Sequence, residues 1–269
     1  MGASRDIGRN DFKWGGLTDQ QFGGSAGTES QGGEPLRDSQ FPASRGDAAT
    51  WFHRMTRSST CPWLMLICLL IAGCSRSKED QLRSAVKEVR AGHTTEIDLS
   101  ESPLEDDALL SELQGLDGLE SLNLDRTPVT DDGLAAMGHL PNLHLLSLAQ
   151  TRVSNAGIAT LVTNFPKLVS LRLDETVITD PGFAELAHAE HLEMLSLHRV
   201  PVSDAGCKQI AKISTLTTLG LDQTMITDRG LTSLKSLPQL KRLSIWQCQL
   251  SESGIERFQR DQPDVAVNR

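Results

Sequence analysis

One motif recurs at a nearly fixed interval and limits the folds that this chain can adopt. The pattern L-x-x-L-x-L-x-x-T-x-V/I-T/S-D-x-G-L begins at Leu119 and returns every 24 or 25 residues. Self-similarity at such a period is typical of solenoids, in which each unit contacts only its neighbours and a core forms only by stacking. The predicted units start at Thr94, Leu119, Leu143, Leu168, Leu192, Leu216 and Leu240.

Each unit carries the signals of a short strand followed by a short helix. The two leucines of L-x-L alternate with outward residues, as in a strand that buries one face. Apolar pairs at helical spacing follow, such as Leu134 and Met137, and predict the buried stripe of a helix. A Ser or Thr before each helix is expected to cap it, and a recurring glycine allows adjacent helices to approach closely. The predicted N-caps are Thr130, Ser154, Thr179, Ser203, Thr227 and Ser251.

Consecutive units such as LESLNLDRTPVTDDGL and LVSLRLDETVITDPGF resemble the leucine-rich repeat family. They are close to its cysteine-containing subclass, with Thr usually at the cysteine position. The resemblance covers roughly residues 94–262. It implies an α/β fold, a right-handed leucine-rich repeat solenoid or horseshoe. In that fold the parallel sheet lies on the concave face and the helices lie on the convex face.

Threonine follows the strand in most units, where the chain turns back towards the core. The hydroxyls are expected to satisfy buried backbone groups of neighbouring turns. Val200 and Cys248 replace threonine in two units, where we expect slack hydrogen bonding. Cys248 and Cys207 are predicted to be reduced and about 10 Å apart, too far to form a disulfide. The threonine column consists of Thr127, Thr151, Thr176 and Thr224.

The two ends of the array carry their own signals. Leu82, Val86 and Val89 fall on one helical face, which predicts a helix over residues 78–90 that caps the first unit. Polar residues in the last unit suit an exposed terminus. The predicted segments are a tether and N-terminal capping helix at 74–93, about seven repeat units at 94–263 and a tail at 264–269.

The residues before the array differ from it in composition. Residues 1–54 are rich in Gly, Ser, Gln and Asp without an apolar period, which predicts disorder. Residues 55–73 combine a basic leader with an apolar run of about eleven residues, the layout of an export signal and too short for a membrane span. Because a signal starting at Met55 has normal proportions, residues 1–54 are either a disordered extension or an untranslated artefact of the gene model.

The tetrad Ile71-Ala72-Gly73-Cys74 ends this run and resembles the bacterial lipobox. The resemblance implies that Cys74 becomes the mature N-terminus and carries acyl chains such as palmitate. It also implies an exported protein anchored in the cell envelope, as a periplasmic or outer-membrane lipoprotein. The alternative is an ordinary signal peptide in which Cys74 is incidental.

Charge and composition exclude several classes of partner. The net charge is −9, and residues 74–269 carry all of it. An acidic body argues against nucleic acid, because binding phosphates needs a basic face. It argues equally against docking on anionic lipid through a polybasic patch. The five cysteines contain no C-x-x-C spacing and do not indicate a disulfide framework.

The outward residues of the predicted strands form columns on the concave face. Trp246 is a candidate binding residue because exposed Trp and Arg are enriched at hot spots, although it can equally serve to cover the last strand. The column of Asp125, Asp174 and Asp222 either attracts a cation or a basic partner, or is a solvated face. The candidate binding residues are Trp246, Arg172, Arg199, His198, Asp174, Asp222, Met194 and Arg242.

The sequence contains none of the common enzyme motifs, such as H-E-x-x-H, G-x-S-x-G or a P-loop. His188 and His191 lie one helical turn apart without a third ligand, so we expect no metal and no cofactor. His198 beside Asp174 or Asp222 lacks a nucleophile.

We therefore predict a lipid-anchored, non-enzymatic protein that binds an unidentified protein through its concave face. One alternative is a scaffold protein of the cell envelope without a specific ligand. The other is an enzyme that uses the His198 region.

Overall fold

The computed structural model describes residues 78–102 and 107–269. The predicted extension, signal peptide and lipidated Cys74 lie outside the described residues. No helix in the described ranges is long and apolar enough to span a membrane.

The strands are β1 (Glu96–Asp98), β2 (Ser121–Asn123), β3 (Leu145–Ser147), β4 (Ser170–Arg172), β5 (Met194–Ser196), β6 (Thr218–Gly220), β7 (Arg242–Ser244) and β8 (Ala266–Asn268). The helices are α1 (Lys78–Arg90), α2 (Asp131–Ala136), α3 (Asn155–Asn164), α4 (Gly182–Leu186), α5 (Asp204–Ile210), α6 (Asp228–Leu234) and α7 (Glu252–Asp261), with a 3₁₀ helix at Asp107–Leu113.

The eight strands form one parallel sheet in chain order. Each strand is in register with the same positions of the next unit, so that Leu122 pairs with Leu146 and Leu146 with Leu171. The middle residue of strands β1 to β7 is buried, whereas most flanking residues are half-buried or exposed. Short parallel strands alternating with helices in one unclosed sheet confirm the predicted α/β leucine-rich repeat solenoid. We call the face that carries the flanking residues, and the residue two positions beyond each strand, the open face.

A continuous apolar core lies between the sheet and the helices. It begins at α1, where Leu82, Val86 and Val89 are buried as the helical pattern over residues 78–90 predicts. It ends at Phe258 of α7 and at Val265, which precedes the last strand. Burial of leucines from each unit against both neighbours is the main stabilising contribution in a stacked array.

The sheet is one strand longer than the sequence predicts. The interpretation of residues 264–269 as a tail is wrong, because Ala266–Asn268 pairs in parallel with β7 as β8. Val265 is buried and Val267 packs against the core, so this segment continues the inward and outward alternation without any leucine. Trp246 therefore follows the second-to-last strand, not the last.

Serine and threonine cap the helices at five of the six predicted positions. At α2, α3, α5 and α6 the side-chain oxygen accepts a hydrogen bond from the N–H two residues on, and at α7 Ser251 accepts from Gly254. Thr179 is the exception, since α4 begins only at Gly182, after Pro181. The Thr179 hydroxyl instead accepts a hydrogen bond from Asn155 Nδ2 at 2.8 Å.

The buried threonines act within their own units. Each hydroxyl donates to the carbonyl oxygen three residues earlier, as Thr176 does to Leu173 at 2.7 Å. The predicted bonds from these hydroxyls to backbone groups of neighbouring turns are therefore wrong for the four threonines. The weak hydrogen bonding that we expected at Val200 and Cys248 is not found either. The backbone N–H of Val200 donates to its own Leu197 carbonyl at 3.2 Å. The Cys248 thiol donates to the carbonyl of the preceding unit at 3.0 Å.

Candidate functional site

Aspartates on the open face tie neighbouring strands together. Asp174 Oδ1 accepts hydrogen bonds from the Ser196 hydroxyl at 2.6 Å and from the His198 N–H at 2.9 Å. Each bond joins one unit to the next, so the aspartate fixes the end of the following strand. The three sets are Asp125 with Ser147 and Ala149, Asp174 with Ser196 and His198, and Asp222 with Ser244 and Trp246.

These sets recur in every second unit, so the open face has a period of two units. An aspartate two positions beyond β2, β4 or β6 is matched by a serine ending β3, β5 or β7. The units between the aspartates carry other residues in the aspartate column, namely Ala149, His198 and Trp246. This longer period was not predicted from the sequence, although the paired Asp and Ser positions are its visible signal.

Arg172 is held between two of these aspartates. Its Nε donates to Asp174 Oδ2 at 2.5 Å, and a terminal guanidinium nitrogen donates to Asp125 Oδ2 at 3.1 Å. Asp174 is only 5% exposed as a result. The expectation that the aspartate column is solvated is therefore wrong for Asp174. Arg172 is a rigid part of the open face, because both its carboxylate partners are fixed.

The residue after each member of the aspartate column has a left-handed backbone. Seven such non-glycine residues have φ between 55° and 57°, a conformation that non-glycine residues seldom adopt. Several of their side chains bond along the edge of the sheet. Arg199 donates to Glu175 Oε1 at 3.2 Å and also to Gln223, which donates to Gln247 at 2.7 Å. Arg199 is thus exposed but fully oriented by its neighbours.

The remaining predicted binding residues are spread over the open face. Trp246 is 45% exposed, and it shares one column with Asp222 and His198 on adjacent units. Met194 and Arg242 lie at the opposite end of their strands, where Arg242 donates to the Thr218 hydroxyl at 3.2 Å. The structure therefore brings His198, Asp222 and Trp246 together.

Within the described residues, neither His198 nor His188 forms the side-chain pair that the sequence suggested for it. His198 contacts Asp174 through its backbone N–H, and within the described residues its imidazole bonds to neither aspartate. His188 Nδ1 lies 3.2 Å from the Glu185 carbonyl oxygen. In residues 78–102 and 107–269, no three His, Cys, Asp or Glu side chains are grouped to hold a metal ion.

A second polar ladder joins the helix starts behind the sheet. Asp131 Oδ1 accepts the Ser154 N–H at 2.8 Å, and Oδ2 accepts the Ser154 hydroxyl at 2.5 Å. The same arrangement repeats along the array and holds adjacent units in fixed relation. Its members are Asp107 with Thr130, Asp131 with Ser154, Asn155 with Thr179, Asp180 with Ser203, Asp204 with Thr227, and Asp228 with Ser251.

Hydrogen bonding shifts the pKa of two ladder carboxylates. Burial alone would raise the pKa of Asp204, but hydrogen bonds from Thr227 and Gly230 outweigh it and hold this pKa below its ordinary value. The hydroxyl and N–H of Ser251 lower the pKa of Asp228. Both side chains are therefore carboxylates at neutral pH and serve as acceptors only.

Fold and sequence together decide what kind of protein this is. Units of 24 or 25 residues each add one parallel strand to a sheet in chain order, and almost every inward strand position is leucine. The chain therefore has the fold of a leucine-rich repeat solenoid. No protein-family model and no curated relative matches the sequence.

Three solved structures with a similar fold come from two bacteria. Internalin C2 of Listeria monocytogenes is 19% identical with a TM-score of 0.49, over 72% of this chain and 92% of that one. A second Listeria monocytogenes internalin is 18% identical with a TM-score of 0.45, over 64% and 52% of the two chains. A leucine-rich repeat protein of Leptospira interrogans is 23% identical with a TM-score of 0.46, over 60% and 39%. At these identities the likeness concerns the fold alone.

Proposed function

We propose that this leucine-rich repeat protein binds another protein through the part of the open face formed by β5, β6 and β7. The observation that carries the proposal is the exposure of Trp246 beside Asp222 and His198 on fixed backbone. Tryptophan contributes disproportionately to binding energy at protein interfaces. A binding role, rather than catalysis, is consistent with the side chains present.

The rigidity of the face supports the same proposal. Asp174 and Asp222 fix the strand ends, and Arg172 and Arg199 are oriented by ion pairs. A partner that docks on such a surface orders few side chains, so less of the gross interaction energy is lost on association.

The test is capture of a partner in cells by crosslinking to the full-length protein and to its Trp246→Ala variant. Val177→Ser is the matched control, because Val177 is also an exposed apolar side chain but follows the threonine column instead of lying on the open face. We expect the parent and Val177→Ser to capture a common partner that Trp246→Ala does not. If all three proteins capture the same set, the open face is not the binding surface and a scaffold role is the better description.

We further propose that the protein is exported and held in the cell envelope by acyl chains on Cys74. The sequence of residues 55–74 supports this, through its basic leader, short apolar run and Ala-Gly-Cys ending. The Cys74→Ala variant should accumulate as an unprocessed precursor and should not incorporate a labelled palmitate analogue. Normal maturation of that variant would contradict lipidation.

A further inference from the structure

Gly220 is an outward residue of β6 whose lack of a side chain has no local structural cause. Its φ is not in the left-handed region, so the backbone does not require glycine. A Cβ at this position would meet Ser196 Oγ at 3.4 Å and Ser196 Cα at 3.7 Å, which are ordinary contacts. The glycine therefore leaves open a space on the face that a side chain would otherwise fill.

The period of two units shows what fits such a space. Two units earlier, the position of Gly220 is occupied by Arg172, whose guanidinium bridges Asp125 and Asp174. The corresponding carboxylates around Gly220 are Asp174 and Asp222. The open face therefore has the same pair of aspartates around Gly220 as around Arg172, but no arginine lies between them.

One carboxylate oxygen remains available as a consequence. Asp222 Oδ1 accepts the Ser244 hydroxyl at 2.6 Å and the Trp246 N–H at 2.8 Å. Asp222 Oδ2 has no hydrogen bond or ion pair within the described residues, whereas the Oδ2 atoms of Asp125 and Asp174 both bind Arg172. Arg242 on β7 donates to Thr218, not to Asp222.

Two aromatic residues lie on the units next to Asp222. His198 and Trp246 occupy the column of Asp222 on the preceding and following units, so their backbones are about 10 Å apart at the usual strand spacing. A guanidinium is planar and stacks on aromatic faces while donating in its own plane, which a lysine ammonium does not do. The arrangement therefore suits arginine better than lysine.

We propose that the notch over Gly220, bounded by His198, Asp222 and Trp246, is a subsite for an arginine side chain of the protein partner. The guanidinium donates to Asp222 Oδ2 and stacks on Trp246. This inference rests on the proposed binding function and specifies the chemistry that the partner must supply.

The first experiment titrates the full-length protein with a capped Ala-Arg-Ala tripeptide, and with the same peptide carrying citrulline, its neutral isostere. Calorimetry or the fluorescence of Trp246 reports binding, with Trp246→Phe identifying the signal of that residue. We expect saturable binding of the arginine peptide and about tenfold weaker binding of the citrulline peptide, since a charge-assisted hydrogen bond is lost. Equal affinities, or no binding of the arginine peptide, would overturn the proposal.

Three variants test the geometry. Asp222→Asn keeps an Oδ1 acceptor for Ser244 and Trp246 but removes the free anionic oxygen, and should weaken peptide binding about tenfold. Gly220→Arg should fill the notch from within, as Arg172 does, and abolish binding. Val177→Ser, which lies away from the open face, is the control and should bind as the parent does. Unchanged binding by a folded Asp222→Asn variant would overturn the subsite even if Gly220→Arg did not fold.

Partner capture separates this inference from the proposed function. If Trp246→Ala loses the cellular partner and both Gly220→Arg and Asp222→Asn retain it, the open face binds a protein but the arginine subsite is wrong. If all these variants retain the partner, both ideas fail. Loss of the partner in all three variants, with Val177→Ser retaining it, is the expected result.

Discussion

The Asp131 carboxylate occupies the space into which a side chain at Gly157 would project. A Cβ on Gly157 would come within 2.3 Å of Asp131 Oδ1, the same oxygen that accepts the Ser154 N–H. The repeating glycine and the repeating aspartate are thus two parts of one feature, since the glycine leaves room for the carboxylate that joins two units. The same conflict recurs between Gly206 and Asp180 at 2.4 Å.

Replacing Gly157 by alanine tests this relationship. In a helix, alanine is normally more favourable than glycine by about 1 kcal/mol. At this position we expect the opposite sign, a loss of about 1–3 kcal/mol in the free energy of unfolding, because the new methyl group displaces the carboxylate. Urea denaturation measures the change. Gly220→Ala, whose Cβ has room, is the control and should stay within about 0.5 kcal/mol of the parent. A stabilised Gly157→Ala protein would contradict the relationship.

The threonine column allows a reciprocal pair of substitutions. Thr176→Val removes the hydroxyl that donates to the Leu173 carbonyl, and we expect a loss of about 1 kcal/mol in stability. A larger loss is not expected, because at Val200 the backbone N–H itself satisfies the Leu197 carbonyl. The reverse change, Val200→Thr, should stabilise by up to about 1 kcal/mol. Thermal or urea unfolding of both variants checks the two signs, and equal signs would contradict the assignment.

The helix-start ladder predicts a loss of stability in acid. The folded-state pKa values of Asp204 and Asp228 lie below their ordinary value. A carboxylate whose pKa is lowered by folding contributes stability above its unfolded pKa of about 3.9, and this contribution is lost as the pH falls through the folded value. Urea midpoints should therefore be steady from pH 7 to about 5 and fall below about pH 4.

Asp204→Asn isolates one contribution to that acid dependence. Asparagine is compatible with the ladder, because Asn155 accepts the Thr179 N–H at 2.9 Å in the equivalent position. The variant should be less stable than the parent at pH 7, and the difference should shrink as the pH falls below about 4. Asp132→Asn, at an exposed position of α2, is the control and should follow the parent's pH curve. A constant deficit for Asp204→Asn at every pH would show that charge is not involved.

The leucine spacing was sufficient to predict the sheet, the register and most of the core. Each inward leucine has only one way to be buried in a stacked unit, so the pattern alone places Leu122 and Leu146 side by side. β8 was not predicted, because Ala266–Asn268 contains no leucine and pairs only with β7.

The candidate site was less predictable, because its properties arise from pairs of side chains far apart in the sequence. The burial of Asp174 depends on Arg172, and both side chains are ordinary surface types when considered singly. Likewise, the role of Gly220 becomes visible only when Asp222 Oδ2 is compared with the oxygens that bind Arg172.

The buried thiol of Cys207 provides a probe of unfolding. Burial raises the pKa of Cys207 to about 12, so almost no reactive thiolate is present at pH 8. We expect iodoacetamide to leave Cys207 unmodified in the native protein and to label it fully in urea, as read by mass spectrometry of its peptide. Cys248 is half-buried and should react faster. Rapid native labelling of Cys207 would show that α5 opens locally.

The left-handed residues at the edge of the sheet predict an order of stabilities at Gln150. Its φ is 56°, its N–H donates to the Asp174 carbonyl at 2.8 Å, and its side chain makes no hydrogen bond within the described residues. Glycine adopts this conformation without strain, whereas a β-branched residue is strongly disfavoured there. Gln150→Gly should therefore be neutral or up to about 1 kcal/mol more stable than the parent, and Gln150→Val should lose about 1–2 kcal/mol.

Urea denaturation of the parent and the two Gln150 variants establishes this order. Because the Gln150 side chain is exposed, neither substitution alters the core, and the difference between glycine and valine reports the backbone alone. If the valine variant were as stable as the parent, the turn would relax without cost. The seven left-handed residues would then adapt to the stacking of the units instead of helping to fix it.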